Sequence, residues 1–219
     1  LEKDTNLCVL EMDRLKEDIK QSPKDPYIVT PTRGTPNEQV KQGDLLAPGL
    51  VIDEILSQFE DSEMVGFYQS GPIHRGHANS SGQTHWFSTD TFSFDYSLID
   101  SSENTCKGSY AGTHWNSIEF AAGVIESLEQ LDRMDTQPKD ISKGDYRAYL
   151  APAAVKEIME TISWGGLSES AFQKGECGLQ KLKNGTTLSN KISMTEDFSL
   201  GLSPRFNQTG EIAPESTSL

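Results

Sequence analysis

Basic side chains are the first scarcity in this sequence. Lysine and arginine total 19 against 33 acidic residues, for a formal charge of −14 over 219 residues. Phosphate backbones and anionic membrane surfaces are gripped by clustered Lys and Arg, so this balance argues against direct binding to nucleic acid or lipid headgroups. Long hydrophobic runs are also missing. None approaches the roughly 18 apolar residues that a membrane-spanning helix requires, so no membrane partner is expected. Cysteine is sparse, with only Cys8, Cys106 and Cys177, widely separated and odd in number. That pattern supplies neither a disulfide framework nor a CxxC metal pair, and it fits buried or idle thiols in a reducing compartment, with the cytoplasm as the expected location. The chain starts at Leu1 with no charged-then-apolar leader, which reads as a fragment or processed product.

What is present falls into short segments with clear periodicity. Cys8, Met12, Leu15 and Ile19 recur at helical spacing, predicting a helix from about Leu7 to Ile19 that ends at Ser22-Pro23. Residues 23–44 are polar and proline-rich, and only Tyr27-Ile28-Val29 reads as a strand. A helix is expected over Pro48 to Phe59. Met64 to Gln69 reads as a strand, followed by turn signals in GPIHRGHANSSGQTHW, where Asn79-Ser80-Ser81-Gly82 suits a hairpin turn. From Thr91 to Leu98 the alternation is clean, with Phe92, Phe94, Tyr96 and Leu98 on one side. Lys107 to Trp115 adds a further strand, so residues 64–115 form a β-meander.

The strongest helix follows, with Asn116 and Glu119 in a capping-box arrangement and Ile118, Ala121, Ala122, Ile125 and Leu128 as its apolar stripe. The polar run 132–144 reads as a linker. Beyond it come a short strand through Tyr146, Ala148 and Leu150, a helix from Ala151-Pro152 to about Trp164 stopped by Gly165-Gly166, and a hairpin around Asn184-Gly185 in KLKNGTTLSNKISM. The fold class is therefore α+β: an antiparallel β-meander packed with helices in residues 1–135, and the start of a β-rich C-terminal domain in 145–219.

Chemistry-bearing residues are few. All four histidines, His74, His77, His85 and His114, lie within one stretch of 41 residues. They are candidate ligands for zinc or nickel if strands bring them together, although an HxxH in a Gly-rich loop has no fixed geometry. Exposed strand and loop histidines are the simpler reading, so no metal and no cofactor are assigned. Cys177, between Gly175 and Gly178 in KGECGLQ, reads as lying in an accessible turn, with Glu176 beside it and no nearby histidine, which disfavours a nucleophile. Ser80-Ser81 lack the strand–GxSxG–helix setting, and the glycines of QSGPIHRGHANSSG are followed by no lysine or helix start. No catalytic residue is assigned. The row Phe92, Phe94, Tyr96 reads as core.

The order of elements resembles the TldD/PmbA family, also described as modulators of DNA gyrase. The resemblance rests on SIEFAAGVIESLEQL followed by DYRAYLAPAAVKEIMETIS, then SAFQKGECGLQKL, LSNKISMTEDF and SPRFNQTGEIAPESTSL. Leu150-Ala151-Pro152 stands where the family has an L-x-P before a helix. Ser170-Ala171-Phe172, Gly175, the run Ser193 to Asp197, and Phe206-Asn207 with Gly210 follow in the family's order, and ANSSG at 78–82 fits its hairpin. Family members are longer, so the resemblance implies an internal piece of a larger protein.

In that family one kind of subunit carries HExxxH on the helix after L-x-P, with two histidines binding a metal and the glutamate activating water. The corresponding helix here reads AAVKEIMETISWGG, and with Glu160 at the glutamate position, Met159 and Trp164 occupy the histidine positions. The resemblance is thus to the PmbA-like (TldE-like) subunit. It implies a non-metal scaffold or peptide guide in a cytoplasmic metalloprotease assembly that acts on unfolded peptides and matures peptide precursors. Its partner would be a TldD-like metal-bearing subunit or a second copy of itself. A stand-alone α+β binding domain with a histidine metal site is the alternative, and a hydrolase drawing on residues outside this chain is a third reading.

Overall fold

A computed structural model describes residues 2–24, 34–59 and 62–218. In chain order these form α1 (Glu2–Asp18), β1 (Asn37–Lys41), α2 (Val51–Leu56), β2 (Glu63–Ala78), β3 (Thr84–Ile99), β4 (Thr105–Gly112), α3 (Ser117–Met134), α4 (Pro152–Ser163), α5 (Glu169–Lys174), β5 (Thr195–Asp197) and β6 (Ser216–Ser218). The class is α+β, with a mixed sheet in place of a pure meander. The strand read at Tyr27–Val29 lies outside the described residues.

The long hairpin β2–β3 organises the molecule. Its register runs without a break from Glu63 opposite Ile99 to Ala78 opposite Thr84. The turn-rich reading of GPIHRGH is therefore corrected: it is continuous strand, because its partner in β3 extends to Thr84. The Asn79–Gly82 turn is as expected, with Asn79 Oδ1 accepting from the Ser81 and Gln83 N–H groups, both at 3.1 Å. On the other side of β3, β4 pairs antiparallel with Phe92–Ile99, and β1 pairs parallel with His85–Thr89. The gap between them is stitched by the Gly43 N–H on Asp90 (3.1 Å) and by Asp44, bridged to His114.

Strand side chains alternate between faces, so the unbroken register places Phe92, Phe94, Tyr96 and Leu98 on one face and His85, Phe87 and Thr89 on the other. Both sets are buried. The first face carries the main core, where Phe94, Tyr96, Leu98 and Cys106 pack with Ile55, Phe59, Phe120, Val124 and Leu131 from the α2 region and α3. The second face is covered at its far end by residues 201–213. There the Arg205 N–H donates to Gln39 Oε1 (3.2 Å), and Phe206 is buried beside His85.

Helix α3 turns a different side inward than its small-residue stripe predicts. Phe120, Val124, Ser127 and Leu131 are buried, whereas Ile118 is 82% exposed and Ile125 also faces out. The bulkier Phe120 fills the aromatic cluster with Trp115 (4.9 Å) and Phe94 (5.9 Å), which the alanine-rich side cannot. The Asn116 cap is present, with its side chain accepting from the Ile118 and Glu119 N–H groups. The reciprocal half of the expected box is not: the Asn116 N–H donates to the Tyr110 hydroxyl at 3.1 Å.

Three further expectations are corrected. The Pro48–Phe59 helix is shorter, with residues 48–50 in a turn. The alternating segment 146–150 is exposed coil and pairs with no strand among the described residues. Around Asn184-Gly185 there is no hairpin. Gln180–Asn184 is a 3₁₀ turn ended by Gly185 in the left-handed region, since Asn-Gly terminates a helical turn as readily as it makes a hairpin. The helix expected from Ala151-Pro152 forms as α4 and has no buried residue.

Candidate functional site

The four histidines fall into three separate places. His77 and His85 are cross-strand partners with rings stacked 5.7 Å apart, on the face covered by the C-terminal stretch. His74, an odd number of residues from His77, lies on the opposite face, stacked on Trp86 at 5.5 Å. His114 is exposed beyond the end of β4, with Nδ1 2.8 Å from the Thr113 hydroxyl. Among the described residues no three His, Cys, Asp or Glu side chains come together in a way that could hold a metal ion.

His85 is 4% exposed, and both its ring nitrogens are engaged. Nδ1 accepts from the Asn37 backbone N–H at 3.1 Å, so the proton sits on Nε2, which donates to the Gly210 carbonyl at 3.1 Å. The residue therefore ties β1 and the C-terminal stretch to β3 and has no lone pair free for a metal. His77 Nε2 is buried without a hydrogen-bond partner, against Gly210. Gly210 has φ +81°, and a Cβ there would collide with Gln83 Oε1 and press on the His77 ring. Only glycine permits this approach.

The other face of the same hairpin end is open. Pro36, Glu38, Gly76, Ala78 and Trp86 contribute to a groove of about 570 Å³. Glu38, Trp86 and Gly76 stand in one row across β1, β3 and β2. Because Gly76 has no side chain, the indole lies across it: a Cβ there would be 3.4 Å from the ring. Trp86 remains 44% exposed, a flat apolar platform beside a carboxylate. Among the described residues, the outer side of β1 has no backbone partner. An extended chain could add there as a strand, with a side chain resting on the indole.

Compared with known proteins, the chain matches no family model, no curated protein and no solved structure.

The remaining sequence candidates are placed as follows. Glu160 projects from α4 and pairs with Lys156 at 3.6 Å on an exposed surface, one turn away. Trp164 caps that helix and is exposed. Cys177 is buried, correcting its reading as an accessible turn residue. Its thiol donates to the Gly166 carbonyl (3.1 Å) and Sγ accepts from the Leu179 N–H (3.2 Å). Cys106 is also buried, and burial pushes its thiol pKa up. Trp86, Asn37 and Gln39 are not singled out by the sequence, and Phe206 enters it only through the family resemblance. The one available signal was Gln83, His85, Phe87 and Thr89 alternating out of phase with Phe92–Leu98.

Proposed function

We propose that this chain is part of a PmbA-like (TldE-like) protein that holds extended peptides for a partner subunit bearing the catalytic metal. The ordered motifs from Ser117 to Leu219 support the family reading, together with a helix whose metal-ligand positions are filled by Met159 and Trp164. Lys156 engages Glu160 in an exposed ion pair, as suits a surface carboxylate and not a buried general base. The observation that carries the peptide role is the open outer side of β1 beside the Trp86 groove. Backbone pairing with an added strand is indifferent to sequence, which suits unfolded substrates, and the indole supplies an apolar anchor.

A TldD-like subunit is the partner in this reading, and the cytoplasm is the setting. Among the described residues no helix is long and apolar enough to cross a membrane. The test is fluorescence anisotropy of a labelled, extended, apolar-rich peptide titrated with the chain. Binding is expected, and Trp86→Ala should weaken it by about tenfold, the scale of a single aromatic anchor. An unchanged affinity in Trp86→Ala, or no binding at all, rejects the peptide-holding role. Co-purification of a metal-bearing peptidase subunit with the full-length protein tests the family reading separately.

A further inference from the structure

The outer edge of β2 is a separate surface, and its chemistry is self-complementary. All sixteen residues of β2 pair with β3, and among the described residues nothing pairs with the other side of the strand. Exposed edges in folded proteins are usually blunted by charge, short length or proline. Here the run from Met64 to Ile73 carries no charged side chain and is interrupted only at Gly71, whose φ is +141°, and Pro72, while Val65 and Phe67 are 62% and 67% exposed. The two strongly charged residues of β2 sit toward its ends, Glu63 and Arg75, and neither has an ion-pair partner among the described residues.

We propose that two copies of the chain pair antiparallel through β2, about a two-fold axis at Gln69, into one continuous sheet. In that register Glu63 of each copy stands opposite the other's Arg75 and Val65 opposite Ile73. Phe67 stands opposite Gly71, which has no side chain to obstruct the ring, and Gly66 opposite Pro72. Glu63, Val65, Phe67, Ile73 and Arg75 all lie on one face of the strand, as cross-strand pairing requires. Moving the axis to Tyr68 puts Glu63 opposite Ile73, and moving it to Ser70 puts Val65 opposite Arg75. Either shift loses the ion pair and splits the apolar pair, so the axis at Gln69 is the one that satisfies both. The interface is isologous and closes as a dimer. It uses the edge remote from β1 and does not depend on the peptide-holding role.

Two measurements test it. Light scattering should show a dimer. Glu63→Arg or Arg75→Glu alone places like charges opposite each other twice per dimer and should weaken it by about tenfold, while the double exchange restores it. In a Cys8→Ser background, Gln69→Cys should form a covalent dimer on mild oxidation, because the two residues face each other at the axis. Val65→Cys, eight residues out of register with its own copy, should not. A chain that stays monomeric, single reversals without effect, or cross-linking at Val65→Cys as efficient as at Gln69→Cys would each overturn the proposal. A monomer that instead takes up peptide along β2 would overturn it as well.

Discussion

Tyr96 lies between two glycines, Gly66 on β2 and Gly108 on β4, in one row across three strands. A Cβ at Gly108 would collide with the Tyr96 ring, and one at Gly66 would come within 2.6 Å of Phe94. The absent side chains let the stacked Phe94–Tyr96 pair lie flat beneath α3, where Phe59 and Phe120 meet it edge-on. Gly108→Ala should therefore cost about 1–3 kcal/mol through overpacking. Gly123, in the middle of α3, has nothing within 4 Å of its would-be Cβ. Gly123→Ala should stabilise by about 1 kcal/mol, the ordinary helix-propensity gain. Urea unfolding midpoints of the two variants should move in opposite directions. Equal shifts would mean that the close approach at Gly108 does not constrain the core.

At the scale of elements, a single hydroxyl relay joins β3 to α3. The Tyr96 hydroxyl lies 2.9 Å from Ser127 Oγ and reaches the Gly123 carbonyl at 3.5 Å, to which the Ser127 hydroxyl also donates at 2.9 Å. Burial raises the Tyr96 pKa above its usual value, and the Ser127 hydrogen bond only partly opposes this. The sign follows from linkage: the neutral phenol is favoured in the folded state, so its contribution is fully present below the unfolded pKa of about 10 and is lost as pH rises through the folded value. Stability measured between pH 9 and 11 should fall more steeply in the wild type than in Tyr96→Phe. Parallel slopes would remove Tyr96 as the cause.

This joint also shows what the sequence conceals about the elements. The alternation from Phe92 to Leu98 is legible because every inward residue is aromatic or aliphatic. The apolar pattern of α3 is ambiguous because both sides carry candidates, and Ser127 on the buried side looks polar until Tyr96 supplies its partner. The first half of β3 is harder still: His85, Phe87 and Thr89 face the other way, and a buried histidine and threonine mimic solvent-facing residues. The spacing of three between Thr89 and Phe92 is the mark of that exchange of faces. β1 is illegible for a related reason, since its five residues NEQVK acquire strand character only from pairing with β3.

At the scale of the whole molecule, two cores lie on opposite faces of one hairpin and are held by different parts of the chain. Among the described residues, the main core draws on residues 51–131 alone. The second is closed by residues more than a hundred positions later in the sequence, through Phe206 against His85 (5.4 Å), the Gly210 carbonyl on His85 Nε2, and the Arg205 N–H on Gln39. The guanidinium of Arg205 is turned back on its own segment, donating twice to the Ala213 carbonyl at 3.0 and 2.7 Å. Phe206 is thus the main apolar contact between this stretch and the sheet. Phe206→Ala should cost about 3 kcal/mol locally, enough to open residues 201–213 well before the rest of the chain. Hydrogen exchange should then show lost protection at the Asn207, Gly210 and Ala213 amides, which the intact turn engages, with α3 and the Phe92–Leu98 segment of β3 unchanged. If protection in α3 falls in parallel, the two cores are a single cooperative unit and the C-terminal stretch belongs to the main fold.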